Sequence, residues 1–158
     1  MTTSPLVPAQ ADAWAAFQRM RVRLTGAIGR DLARATGLSE ADFEILVAVD
    51  EQADGLVRSL ALRCGLEWEK SRLSHQLRRM ETRGLLVRET CEEDGRGAVV
   101  RLTEQGRRLA GEARRHYDEA VHRHVVQALT DDQLAALHQI SDALLRHVAA
   151  APHRRPGG

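Results

Sequence analysis

Between two short runs, "GLLVRET" and "AVVRLT", the chain places Asp94-Gly95-Arg96-Gly97. Both runs are rich in Val, Leu and Thr and read as strands. Asp-Gly between such runs is a strong hairpin signal, because Asp and Gly tolerate the backbone angles of a tight turn. Every other long segment has helical spacing, so the chain must accommodate one hairpin within an otherwise helical fold. The expected order is four helices, the hairpin, then two more helices. The turn also carries Arg96, which has no apolar neighbour to pack against. It is either solvated or held out toward something anionic.

The helices have legible ends. From Ala11 to about Thr36, Trp14, Phe17, Met20 or Arg21, Leu24, Ile28 and Leu32 recur at helical spacing, and Gly37 stops the run. In "LSEADF", Ser39 is a capping residue with Asp42 three positions later, flanked by Leu38 and Phe43 as a hydrophobic staple. "LVRSLALRCGL" reads as a short helix ending at Gly65, and "LEWEKSRLSHQLRRMETRG" as a longer one ending at Gly84. After the hairpin, Thr103 caps a long helix through about Ala128. Thr130 and Gln133 form a second capping box that opens the last helix.

A short helix, a turn and a longer helix from Leu56 to Gly84 make a helix-turn-helix. On the longer helix Leu73, Leu77 and Met80 share one stripe. Ser71, Arg72, Ser74, His75, Arg78 and Arg79 fall away from it. Hydroxyls, an imidazole and guanidiniums on a face the core does not need are the groups that read base edges in the major groove and grip phosphates. The hairpin follows directly, which makes the unit a winged helix. Its tip would carry Arg96 into the adjoining minor groove, with Asp94 orienting the guanidinium by a local ion pair. Glu92 and Glu93 are expected to point away from phosphate. Trp68 is expected to anchor the start of the longer helix rather than stack on a base.

These residues resemble the MarR family of bacterial transcriptional regulators. The likeness is carried by Leu85-Leu86-Val87-Arg88-Glu89, by Asp94-x-Arg96, and by Val100-Arg101-Leu102-Thr103-Glu104-Gln105-Gly106. Trp68-Glu69-Lys70-Ser71-Arg72-Leu73-Ser74 is similar to actinobacterial members. The resemblance extends from about Asp12 to Val148. It implies a mainly α fold: a winged helix-turn-helix with long N- and C-terminal dimerisation helices and one β-hairpin wing. It also implies a homodimer on a pseudo-palindromic double-stranded DNA operator, often in a repressor role. A small-molecule or redox input would enter the cleft between the dimerisation and DNA-binding parts. Trp14, Phe17, Arg21, Phe43, His116 and Tyr117 are the residues the resemblance places around that cleft, and the effector itself is unknown.

Composition supports the dimer separately. Trp14, Phe17, Leu24, Leu134, Leu137, Leu144, Leu145 and Val148 offer more apolar surface than one small winged-helix core requires, and a two-fold partner would cover it. The expected division is a disordered leader over 1–10, a dimerisation helix over 11–36 and the DNA-binding unit over 37–103. C-terminal dimerisation helices over 104–150 and a disordered tail over 151–158 complete it.

Other function classes find less support. The formal net charge is +1, so overall charge announces no nucleic-acid partner, and the 22 Arg against a single Lys reflect base composition. Two cysteines make no disulfide framework and point to a reducing cytoplasm. No apolar run approaches the roughly 20 residues of a membrane span. A redox-responsive regulator would need a reactive thiol. Cys64 is expected to be an inert core thiol, and Cys91 lies beside Glu89, Glu92 and Glu93, which dull it. A metal-responsive one would need ligands assembled across elements, because His116, His122, His124, His138 and His147 offer no pair at three- or four-residue spacing. No cofactor or metal is therefore expected. No phosphate loop, nucleophile elbow or zinc-hydrolase motif is present, so the chain is not expected to be an enzyme. A winged helix used only for protein contacts remains the rival from another class. It would need neither Arg96 nor a basic reading face.

Overall fold

The computed structural model describes residues 5–52, 54–90 and 98–150. Among them are six α-helices and a three-stranded antiparallel sheet. The helices are α1 (Pro8–Thr36), α2 (Glu40–Asp50), α3 (Ser59–Leu66), α4 (Lys70–Thr82), α5 (Glu104–His124) and α6 (Asp131–Ala150). The strands are β1 (Leu56–Arg58), β2 (Leu86–Thr90) and β3 (Ala98–Leu102). Two compact units divide within α5, one ending at Ala120 and the other beginning at Val121. Among the described residues no helix is long and apolar enough to cross a membrane.

The first unit holds the core. Leu32 from α1, Ile45, Leu46 and Val49 from α2, and Leu62 from α3 meet Leu73, Leu77 and Met80 from α4. Leu85, Leu86, Val100 and Leu102 close it from the sheet, with Ala110 and Ala113 of α5. Leu38 and Phe43, the expected staple, are both buried in this cluster. Of the apolar stripe on α1 only Ile28 and Leu32 are buried. Trp14, stacked on Phe17 at 5.5 Å, is 53% exposed. The helix also starts at Pro8 rather than Ala11: proline is at ease in a first turn, and the Gln10 side chain accepts from the Val7 N–H at 3.1 Å.

Two local readings need correction. Leu56–Arg58 is a strand, not the first turn of α3. Val57 pairs with Val100 and Arg58 with Val99, so β3 lies between β1 and β2. Three residues are too few for strand periodicity to show in the sequence. Gly65 does not end α3 either. The helix runs one residue past it, and Glu67 takes the left-handed conformation at φ 54°. Past the wing, α5 stops at His124 rather than near Ala128, and Val126–Ala128 is a single 3-10 turn.

Two knots tie these elements together. Asp42 is 1% exposed, and its carboxylate accepts from the Ser39 N–H at 2.9 Å, the Arg83 guanidinium at 2.8 Å and the Gln76 amide at 2.6 Å. Arg83 also reaches the Gly37 carbonyl at 3.3 Å. One side chain therefore caps α2, holds the middle of α4 and secures the turn after it. Burial alone would raise the Asp42 pKa. The bonds from Ser39 and Arg83 outweigh it and hold the pKa below the ordinary value of 3.8.

The second knot closes the end of α4. Gly84 at φ 71° lets its own N–H reach the Glu81 carbonyl and the Leu85 N–H reach that of Met80. Thr103 Oγ donates to the Gly84 carbonyl at 2.7 Å and accepts from the Gly106 N–H at 3.0 Å. Gly106 lies so close to the chain that an added Cβ would meet the Leu85 carbonyl oxygen at 1.9 Å.

The second unit contains the end of α5, the 3-10 turn and α6. The Thr130–Gln133 capping box forms as expected, with the Thr130 N–H donating to Gln133 at 3.0 Å and the Gln133 N–H to Thr130 Oγ at 3.3 Å. None of the α6 side chains is buried, and Leu137, Ile140, Leu144, Leu145 and Val148 are exposed at helical spacing.

The glycines of α5 give opposite expectations for one substitution. Gly111 has nothing within 4 Å of an added Cβ, so Gly111→Ala should stabilise by about 0.5–1 kcal/mol through helix propensity. Gly106→Ala should instead destabilise by about 1–3 kcal/mol, because the clash is with backbone and outweighs that gain. Denaturant unfolding of both variants checks the pair. At Asp42, Asp42→Asn should cost about 1–3 kcal/mol near pH 7. The depressed pKa means that the carboxylate's contribution is complete above the unfolded value, about 4, and is lost as pH falls through the folded value. The gap between wild type and variant should therefore narrow in unfolding curves measured toward pH 3.

Candidate nucleic-acid interface

Helix α4 separates its faces as its spacing requires. Leu73, Gln76, Leu77 and Met80 are buried. Ser71, Arg72, Ser74, His75, Arg78 and Arg79 are all exposed. The structure thus gathers the six expected reading residues on one outward face. Gln76 belongs to the buried stripe by position, three residues after Leu73 and four before Met80. As an amide it gave no apolar signal, and its partner Asp42 lies 34 residues away.

The start of α4 is held by Trp68, 8% exposed and part of the core cluster. The Arg72 guanidinium lies over its ring, 3.8 Å from the centroid. The end of α4 is joined to the wing root. Glu81 accepts from the Arg88 N–H at 3.2 Å and from its guanidinium at 3.0 Å, and that pairing holds the Glu81 carboxyl below its ordinary range. Ser59 Oγ, at the start of α3, donates to the Ala98 carbonyl at 2.8 Å and fixes the helix-turn-helix to β3.

Between these elements lies a cleft of about 350 Å³ lined by Ser59, Leu60, Arg63, Lys70, Leu73, Ser74, Leu77, Arg88 and Ala98. Three cations and two hydroxyls at the mouth of a partly apolar groove suit an anionic partner. Arg63, Lys70 and Arg88 were not among the expected site residues. In so arginine-rich a chain no composition signal marks them, and only the packing of α3, α4 and the sheet brings them together.

Arg96 and Asp94 lie outside the described residues, as do Glu92, Glu93 and Cys91. The strands on either side are well defined: β2 pairs with β3 from Leu86↔Leu102 to Thr90↔Ala98, and Arg101 bonds Glu89 across the strands at 3.2 Å. Cys64 is exposed, contrary to the expectation of a core thiol. Leu62 is the residue of α3 that is buried, and a position two residues further round a helix turns about 200° away from it.

Of the residues expected around an effector cleft, Phe43 and Tyr117 stack at 4.6 Å. Burial first, then the charges of Glu40, Glu44 and Asp118, push the Tyr117 hydroxyl above its ordinary pKa. Trp14 stacks on Phe17, Arg21 donates to Gln18 at 3.2 Å, and His116 lies 3.3 Å from Glu119. The two ring pairs are thus formed, each by itself.

Comparisons with known proteins place the whole arrangement. No family model matches the sequence, and no curated protein matches it. Solved structures do. AbsC from Streptomyces coelicolor, a MarR family transcriptional regulator, is 32% identical, with 94% of this chain and 100% of that one covered at a TM-score of 0.85. Sco3205 from the same organism, a MarR family transcriptional regulator solved in complex with DNA, is 24% identical over 99% of this chain and 97% of its own, TM-score 0.86. CouR from Rhodococcus jostii RHA1, solved bound to p-coumaroyl-CoA, is 26% identical over 89% and 94%, TM-score 0.71. With the helix-turn-helix, its wing and this likeness to AbsC over nearly the full length of both chains, the protein belongs to the MarR family of transcriptional regulators.

Proposed function

We propose that the protein is a cytoplasmic, non-enzymatic repressor that binds a pseudo-palindromic DNA operator as a homodimer and releases it in response to a small molecule. The observation that carries DNA reading is the face of α4: six exposed polar or basic side chains on a helix fixed at both ends, beside a cationic cleft that adjoins the wing root. Arg72, Ser74 and His75 supply base contacts, and Arg78 and Arg79 grip phosphate. Arg96 enters the minor groove from the wing, oriented by Asp94. A protein-contact module would not need this inventory.

The dimer rests on exposed apolar surface in each unit: Trp14, Phe17 and Met20 on α1, and Leu137, Ile140, Leu144, Leu145 and Val148 on α6. Patches of this kind are covered by a partner in stable proteins. A two-fold pair would set two reading helices about one DNA turn apart. The effector enters beside the Phe43–Tyr117 stack.

Selection of duplexes from a randomised pool, followed by binding measurements on variants, tests the reading. Alanine at Arg72, Ser74 or His75 should each cost about 1–3 kcal/mol and relax preference at one base pair per half-site. Arg78→Ala or Arg79→Ala should weaken all duplexes alike and flatten the salt dependence. Arg96→Ala should weaken the selected operator while the melting curve stays that of wild type, and Asp94→Ala should do less harm. Binding without sequence preference, or none at all, would defeat the proposal. Sedimentation at micromolar concentration should show a dimer, and a folded monomer there would remove the two-fold operator.

A further inference from the structure

The cleft between α3, α4 and the sheet holds cations of two kinds, committed and uncommitted. Arg88 is committed: its backbone N–H and its guanidinium both donate to Glu81, at 3.2 and 3.0 Å. The Ser59 hydroxyl is committed as well, to the Ala98 carbonyl at 2.8 Å. Arg63 near the end of α3 and Lys70 at the start of α4 line the same cleft, and neither has an ion-pair partner among the described residues. The buried side chains of Leu73 and Leu77 supply an apolar lining. Ser74 belongs both to this lining and to the outward face of α4, so the cleft opens beside the reading residues. From this placement we infer that the cleft is a seat for a single backbone phosphate of the duplex, gripped jointly by Arg63 and Lys70. The inference rests on the reading of α4 as the DNA-contacting helix, and adds to it two residues that set affinity and register.

When a recognition helix lies in the major groove, the helix before it crosses the sugar–phosphate backbone. A cleft walled by both helices therefore meets a phosphate rather than a base edge. An ammonium suits phosphate as a point charge, and a guanidinium can fork two of its oxygens. Two unpaired cations in one cleft repel each other, and an anion between them turns that repulsion into attraction. The apolar lining keeps water from one side of the ions, so their field is less screened than on open surface. Glu81 would repel such an anion, but its charge is matched by Arg88. Successive phosphates of one strand are about 3.4 Å apart along the duplex axis, so a seat that admits one of them holds α4 to within a base-pair step.

The experiment uses the full-length protein and the duplex that wild type enriches from a randomised pool. In a set of such duplexes each phosphodiester in turn is replaced by an uncharged methylphosphonate. Arg63→Gln and Lys70→Gln should each weaken binding to the unmodified duplex about three- to tenfold per half-site, with unchanged melts and no relaxed preference at any base pair. At one linkage per half-site, the same for both variants, methylphosphonate should abolish the difference from wild type. At every other linkage the difference should persist. The double variant should lose less than the product of the two single losses, the signature of one shared contact. Its salt slope should fall by about one per half-site rather than two, because one phosphate is released.

The seat is overturned if the two variants respond to different linkages, or if their losses multiply and no single linkage abolishes them, which would mark general charge attraction. It is also overturned if both variants bind the enriched duplex as wild type does. Should Arg63→Gln lower the melt, Arg63→Lys takes its place: the fork is lost and the charge kept, and its smaller loss should vanish at the same linkage. A free anion is the other source of the same chemistry. Lys70 is the chain's single lysine, so its side-chain signal is unambiguous in magnetic resonance. A saturable shift of that signal by inorganic phosphate at matched ionic strength, with no linkage that distinguishes the variants from wild type, would give the cleft to free phosphate and overturn its assignment to the duplex. A pool that yields no enriched duplex defeats the regulator reading itself, and the seat falls with it.

Discussion

A single buried carboxylate organises the helix-turn-helix and its surroundings. Asp42 closes the first turn of α2 through Ser39, and the same two oxygens take the Gln76 amide from α4 and the Arg83 guanidinium from the turn after it. Buried ions are costly unless their lone pairs are filled, and here each oxygen has a partner. The geometry is specific because a carboxylate has few directions in which to accept. Rotation of α4 by one residue would carry Gln76 away from Asp42 and bring a charged or hydroxyl side chain against the core. The outward set from Ser71 to Arg79 is thus held in phase from the inside.

Much of this was legible in the sequence, and the legible parts share a physical character. The capping boxes at Ser39 and Thr130, the stripe of Leu73, Leu77 and Met80, and the stops at Gly37 and Gly84 are local signals. Each depends on residues within a turn or two of one another, so spacing suffices to read them. The six outward residues of α4 followed from the same periodicity by subtraction. The hairpin strands were visible from β-branched composition flanking a turn.

What was not legible is what depends on distant partners. Asp42 read only as a cap, because Gln76 and Arg83 reach it from 34 and 41 residues away. β1 is too short to declare itself and exists because β3 offers it an edge. Cys64 sits in an apolar-looking segment and is nonetheless exposed, because α3 buries Leu62 on its inner side and turns position 64 outward. Arg63, Lys70 and Arg88 became a cluster only through packing. Trp68 was read correctly as an anchor, yet its pairing with Arg72 needs the turn before α4 to bring the ring beneath position 72.

The contact of Gly106 with the Leu85 carbonyl has a mechanical corollary. With Thr103 bonded to Gly84, and Leu85 lying between the end of α4 and the start of β2, the first turn of α5, the end of α4 and the wing root meet at one joint. The Thr103 hydroxyl serves both sides of this joint, bonded to the Gly84 carbonyl and to the Gly106 N–H, so the end of α4 and the first turn of α5 cannot part without breaking both bonds. The absence of one methyl group is thus what lets two helices and a strand be anchored at a single point.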